Sequence, residues 1–396
     1  MGPTIILDKS AVQALSQREI DFLFKHYYVV ITPILLSEIQ GDLTKSPNDE
    51  GLSKAQVQQL SKKLLPEDSV VNVHYRYPCM SSLVGYCVPM DGRPIVPQGI
   101  PVEAPGLGKG LVLDETEIRG ILCDWQQGIF SDEDRAKAKR WRETVQRLNV
   151  ETLRRRIKSL LPDMPKIRDI QHLTSEVEKL TSSPDPEFQL RLLSASIASV
   201  GGTSQKLLNK IFQRWHDEGL PRFKHFARYA FHCLRADLTF YIGLACDLFS
   251  TRPSNFIDLE YIYYLPFCTV FCSGDEFQKD ICHLFLRKDQ SLAHMNQEFI
   301  GRDELKRDLR WIADEWDRLS ESEKFEREAS YGNYPPVNLQ SVTYQVWQKY
   351  MRPRGPSSGN LAIGMTKEQQ ESMMDRLRPV VEAIKRHRRK SKEEER

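Results

Sequence analysis

The chain has 396 residues, 40% of them hydrophobic and 28% charged, with 56 Lys and Arg against 54 Asp and Glu and a formal net charge of +2. That composition builds one enlarged domain or two closely joined ones, and excludes a chain disordered throughout; the near balance of charge excludes a coat for nucleic acid while leaving local basic patches open. Eight Cys without CxxC pairs or zinc-type spacing read as reduced thiols of a cytoplasmic protein, and no apolar run reaches the roughly 18 residues that span a bilayer, so no membrane is expected as a partner.

Thr4-Ile-Ile-Leu7 is a short buried-strand signal that stops at Asp8, followed by a helix from about Ala11 to Lys25. A second strand, Tyr28-Val-Val-Ile31, leads into Thr32-Pro33, a cap residue with proline at the first helical position, and into a helix carrying Leu36 and Glu38. Strand, helix, strand, helix within about forty residues opens a parallel α/β sheet. From about 42 to 220 the pattern changes to that of a mostly helical insertion. Pro78 to Gly110, rich in Pro, Gly and Met, reads as a lid, a partner-binding loop or a locally mobile segment. Its Gly106-Leu-Gly-Lys-Gly110 is not a phosphate loop, because Gly110 stands where Ser or Thr belongs and no buried strand precedes it. Ser131-Asp-Glu-Asp134 caps a long helix expected to run to about Leu160. Ten Lys or Arg against five acids between 131 and 158, Arg154, Arg155 and Arg156 among them, make either a solvated face or a rim that guides a phosphate backbone. Further helices are expected at Pro186–Val200, Ser204–Glu218 and Arg222–Phe249.

The stretch from Asn255 to Phe277 organises the rest. Asp258 stands at the start of an apolar helix, Leu259–Leu265; the chain turns at Pro266 and runs Thr269–Cys272 as a buried strand that ends at Asp275. Continuous apolar strands of this kind belong to parallel sheets covered on both faces, which bind ligands beyond their carboxyl ends. Helices follow at Gln278–Leu286 and Arg302–Leu319, then a linker at Tyr331–Asn360, a helix from Thr366 to about Ile384, and a tail, Lys385–Lys392, basic at six of eight positions. The expected division is a split α/β domain from 1–42 and 221–300, the helical insertion 43–220, and a helical extension 301–396 with its basic tail.

Four acids take matching places on this pattern: Asp8 at the end of the first strand, Glu38 early in the helix after the second, Asp258 opening a helix, and Asp275 ending a later strand. Each alone has a plain explanation, as a helix cap, a loop acceptor or a surface acid. Together, with the three strands adjacent and parallel, they converge at one edge. An oxygen-only cluster selects hard divalent cations, which offset the mutual repulsion of the carboxylates and activate water for attack on phosphorus.

Leu7-Asp8-Lys9-Ser10, Thr32-Pro33 through Ser37-Glu38-Ile39, Asp258 with its Tyr-rich helix, and Phe271-Cys-Ser-Gly-Asp275-Glu-Phe277 together resemble a PIN domain, over roughly residues 3–42 and 225–290. The resemblance implies a three-layer fold with a central parallel sheet, one or two Mg²⁺ or Mn²⁺ ions, and endonucleolytic cleavage of single-stranded RNA to a 5′-phosphate and a 3′-hydroxyl. Carried over, Asp8, Glu38, Asp258 and Asp275 are the catalytic, metal-binding acids, with Glu260 and Asp280 as additional metal-binding acids. Ser10 and Ser273 become polar neighbours on the substrate side, with Arg154, Arg155 and Arg156 guiding the strand. The span from Glu38 to Asp258 is far longer than a compact member of the family needs, so access and substrate choice are not set by the resemblance. A structure-specific DNA nuclease on a related fold, single-stranded DNA as substrate, a nucleic-acid- or protein-binding scaffold with little catalysis, and a toxin-like enzyme held by a protein inhibitor are the other readings.

Overall fold

The computed structural model describes residues 2–46, 49–64, 69–96, 99–104, 108–113, 116–160, 166–288 and 296–351. Seven strands run β1 (Thr4–Leu7), β2 (Tyr28–Ile31), β3 (Ser69–Val71), β4 (Gly99–Ala104), β5 (Gly108–Leu113), β6 (Val270–Ser273) and β7 (Glu298–Gly301). Five of them form one sheet in the order β3-β2-β1-β6-β7, parallel at every junction. The chain is therefore α/β, as expected. Its first strand lies in the middle, with later strands added first on one side and then on the other. β1, β2 and β6 are buried residue after residue, from Ile5–Leu7 through Val29–Ile31 to Val270–Cys272. A sheet covered on one face alternates instead, so helices cover both faces here. Fully burying each of these side chains contributes about 1.5–3 kcal/mol.

The expected strands Thr4–Leu7 and Tyr28–Ile31 stand as read, and the third is displaced by one residue to Val270–Ser273. Three expected helices are broken. Lys9–Ala14 and Gln17–His26 replace the single first helix, because Ser16 and Glu19 form a capping box that starts a second helix. The long basic helix divides into Asp132–Arg147 and Val150–Leu160, the latter begun by Asn149, whose side chain accepts from Thr152 N at 2.8 Å. The helix expected over Arg222–Phe249 divides at Ala227 into Phe223–Phe226 and Arg228–Ala245. The most consequential correction concerns Asp258. Its helix spans Pro253–Tyr264, started by a proline at the first turn, so Asp258 lies in the helix interior and caps nothing.

The expected domain boundaries do not follow the sheet. β3 lies within the stretch expected as an insertion, so the sheet takes in residues beyond 42; β7 forms the other edge and leads directly into the helix Arg302–Asp317. Both strands are three or four residues long and begin with Ser or Glu, which leaves little apolar signal. Between them the Pro/Gly-rich stretch contains the antiparallel hairpin β4–β5, in register from Gly99 opposite Leu113 to Ala104 opposite Gly108. The expected linker contains a helix, Val342–Tyr350, whose Trp347 donates to His26 O at 2.8 Å. The helix expected from Thr366 and the tail Lys385–Lys392 lie outside the described residues.

Candidate functional site

In a parallel sheet that extends to both sides of its first strand, the crevice lies where the strand order reverses, beyond the carboxyl ends of the strands. Here that place is between β1 and β6. Leu7 is in register with Cys272, so the residues that follow them, Asp8 and Ser273, stand side by side at the carboxyl ends of β1 and β6. Asp8 N donates to Cys272 O at 3.1 Å, and Ser273 Oγ donates to Asp8 Oδ2 at 2.8 Å. Ser10 Oγ reaches both Asp8 oxygens at 2.9 and 2.8 Å while accepting from Gly274 N at 3.0 Å. Asp8 also caps the helix Lys9–Ala14, accepting from Ala11 N at 2.7 Å. Burial outweighs these donors and raises its pKa, and Asp275 adds repulsion.

Asp275 caps Glu276–Cys282 by accepting from Gln278 N at 3.1 Å. The plain explanation offered for strand-end acids, satisfaction of backbone amides, thus operates at both Asp8 and Asp275. It does not explain Glu38 or Asp258. Glu38 sits in the helix Pro33–Gly41 and accepts from Tyr261 Oη at 2.5 Å; burial pushes it up to about 7, against the pull of that hydrogen bond and of Lys9. Asp258 is pushed up to about 9, first by burial and then by Asp275, Glu38 and Asp8. The four acids named from the sequence therefore share one electrostatic neighbourhood.

Their order along the helix Pro253–Tyr264 explains part of this. Asp258 and Tyr261, three residues apart, share one helix face, and Tyr261 feels Glu38, Asp8 and Asp258 together. Sequence reasoning passed over Tyr261, although that spacing from Asp258 was its signal. It also passed over Gln278, which donates to Asp258 Oδ1 at 3.3 Å while its own Oε1, buried, has no donor among the described residues. Lys9 is a third omission: its ammonium donates to Glu38 O at 3.1 Å and pairs with the buried Asp42 at 2.7 Å.

The additional acids divide. Glu260 is pushed up to about 7 by burial, lies in the field of Glu38 and Arg76, and approaches His74 Nε2 at 3.8 Å, so it borders the cluster. Asp280 is exposed on its helix and is not among the charges that shift Asp8, Glu38 or Asp258. Its position on the helix after Asp275 turns it to solvent, which corrects that expectation. Arg154 is held by Glu151 and Asp247, while Arg155 and Arg156 are exposed; none of the three is among the charges that shift the acids. Arg302 stands at the β6 exit, its guanidinium paired with Asp303 at 3.1 Å and so near Gly274 that a Cβ there would meet its Cζ at 2.8 Å. It also feels the charge of Asp8.

The donor chemistry suits a hard divalent cation: carboxylates that raise one another's pKa, and a buried amide oxygen without a donor. As the side chains stand, with Asp8 and Asp275 engaged by amides and hydroxyls and Glu38 by Tyr261, no group of three or more His, Cys, Asp or Glu among the described residues is arranged to hold an ion. All eight cysteines are unpaired, and no helix among the described residues is long and apolar enough to cross a membrane. Comparison with protein-family models, curated proteins and solved structures finds no match to this chain.

Proposed function

We propose that this chain is a metal-dependent endoribonuclease with a PIN-like fold, hydrolysing single-stranded RNA at the carboxyl ends of β1 and β6. The observation that carries this reading is the convergence of Asp8, Glu38, Asp258 and Asp275 at the reversal of strand order, with Asp258 pushed up to about 9 by burial and the other three acids. Carboxylates crowded at that cost serve a structural purpose poorly, whereas strongly shifted groups in a crevice are typical of functional sites.

These acids would hold Mg²⁺ or Mn²⁺, with Glu260 at the border of the set; a cation there supplies positive charge for the phosphorane-like transition state and acidifies a water molecule. The chain's own contribution is positional. Ser10, its hydroxyl shared between both Asp8 oxygens, and Ser273 fix the Asp8 carboxylate, and Tyr261 fixes Glu38. Gln278 orients Asp258, and Arg302 at the rim is placed to take a phosphate oxygen of the strand. One observation favours a second reading, a fold that binds RNA without cutting it: among the described residues no three acids stand ready to ligate an ion.

Incubation of labelled single-stranded RNA and DNA with purified protein in Mn²⁺, Mg²⁺ or EDTA separates the two. Metal-dependent cutting of RNA by the wild type, lost in Asp275→Asn, supports the nuclease. RNA binding without cutting in a folded preparation supports the scaffold, and cutting of DNA alone replaces the substrate.

A further inference from the structure

At the same edge of the sheet as the acids, a groove opens beyond β2 and β3. It has a volume of about 840 Å³, and its walls include Leu36, Asn72, His74, Tyr77, Tyr86 and Ile95. Leu36 belongs to the helix that carries Glu38, and His74 approaches Glu260 at 3.8 Å, so the groove and the acids are neighbours.

Three features of the groove point to its occupant. Asn72 is 2% exposed; its N donates to Ile31 O at 2.9 Å and its Oδ1 accepts from Ile95 N at 3.0 Å, but its Nδ2 has no partner among the described residues. A buried amide donor left unpaired is costly, and an acceptor on a ligand relieves it. Tyr77 and Tyr86 line the same groove yet are 71% and 69% exposed, so their rings are available as stacking faces. The remaining lining is largely apolar, with Pro33, Val71 and Val96 and no Lys, Arg, Asp or Glu, which suits neither a phosphate nor a sugar. A flat ring with stacking faces and a hydrogen-bond acceptor on its edge satisfies all three.

We propose that this groove is a nucleobase pocket: an unpaired base of the bound strand stacks on Tyr77 and Tyr86 and accepts a hydrogen bond from Asn72 Nδ2. Seating one base there fixes the register of the strand against the acids. Base stacking on aromatic side chains is tolerant of sequence, so the pocket selects for an unpaired base more than for its identity. Assigning the strand as RNA rests on the reading of the acids as a ribonuclease site; the base-binding chemistry does not.

The test is fluorescence anisotropy of a labelled single-stranded RNA in EDTA, where cleavage is stopped, with wild type and the double variant Tyr77→Ala/Tyr86→Ala, whose exposed positions leave the core intact. The double variant binds about tenfold more weakly or worse. In the wild type, an abasic residue at one position of the RNA causes a similar loss, and the double variant shows no further loss with that abasic strand. Equal binding by variant and wild type, losses that simply add for every abasic position, or no binding of either single-stranded RNA or single-stranded DNA by the wild type each overturn the pocket. Weakened binding in a protein that never cuts RNA keeps the pocket and removes only the ribonuclease.

Discussion

Asp258 occupies a setting that opposes its own ionisation. It sits in a helix interior, half-buried, within the field of three other carboxylates, and its pKa is pushed up to about 9. Asp258→Asn removes the repulsion and keeps the shape, so the metal-free variant unfolds at the same or a higher temperature than wild type while RNA cleavage falls by about a hundredfold or more; thermal melts and single-turnover cleavage check both. Tyr261 makes a complementary prediction. Its hydroxyl lowers the pKa of Glu38, so Tyr261→Phe raises it, and the acidic limb of the pH–rate profile moves to higher pH. The sequence singles out Asp258 as one of four acids but sets it at the start of a helix, Leu259–Leu265, rather than in the interior of one. Pro253 was the stronger start signal.

The helix Pro33–Gly41 shows how the element that carries Glu38 is held. Thr32 caps it through Leu35 N at 3.4 Å with Pro33 at its first position, as the sequence indicated. Its far end is held by partners distant in the chain: Lys9 on Glu38 O, and Arg142 on Gly41 O at 3.0 Å, with Asp42 pairing to Lys9 at 2.7 Å and to Arg142 at 3.5 Å. Cations at a helix carboxyl end also suit its dipole. Gln40 reaches Asp134 at 2.9 Å, so the helix Asp132–Arg147 packs on the element that carries Glu38. No periodicity announces such contacts, which is why local caps were legible and this junction was not. A Cβ at Gly41 would meet Trp141 Cδ1 at 2.4 Å. Gly41→Ala therefore destabilises the fold by about 1–3 kcal/mol, read by denaturant unfolding, and weakens Mn²⁺ binding through displacement of Glu38.

Across the whole molecule, a central β1 with strands added on both sides brings together residues from the beginning of the chain and from beyond 250. The central strands were legible because they are short unbroken apolar runs. The edge strands β3 and β7 were not, since Ser-Val-Val and Glu-Phe-Ile-Gly acquire their conformation from pairing with β2 and β6. The raised pKa values of Asp8, Glu38, Asp258 and Glu260 also have a global consequence. The folded protein holds these protons more tightly than the unfolded chain. Their contribution to stability is full below the ordinary carboxylate range of about 4, and is lost as pH rises through about 7 for the glutamates and about 9 for Asp258. The metal-free melting temperature accordingly falls across this interval, and the stabilisation by added Mn²⁺ grows with pH, because cation and proton compete for the same oxygens.

The central claim is that these four acids form one cation site, and calorimetric titration of Mn²⁺ into EDTA-stripped protein tests it most directly, with wild type beside Asp258→Asn and Glu38→Gln, each checked for native folding. Saturable binding by the wild type that weakens at least about tenfold in both variants, with proton release on binding, is the expected result. Binding that is absent in the wild type, or unchanged in both variants, would show that the convergence of acids at the edge of β1 and β6 serves something other than a metal.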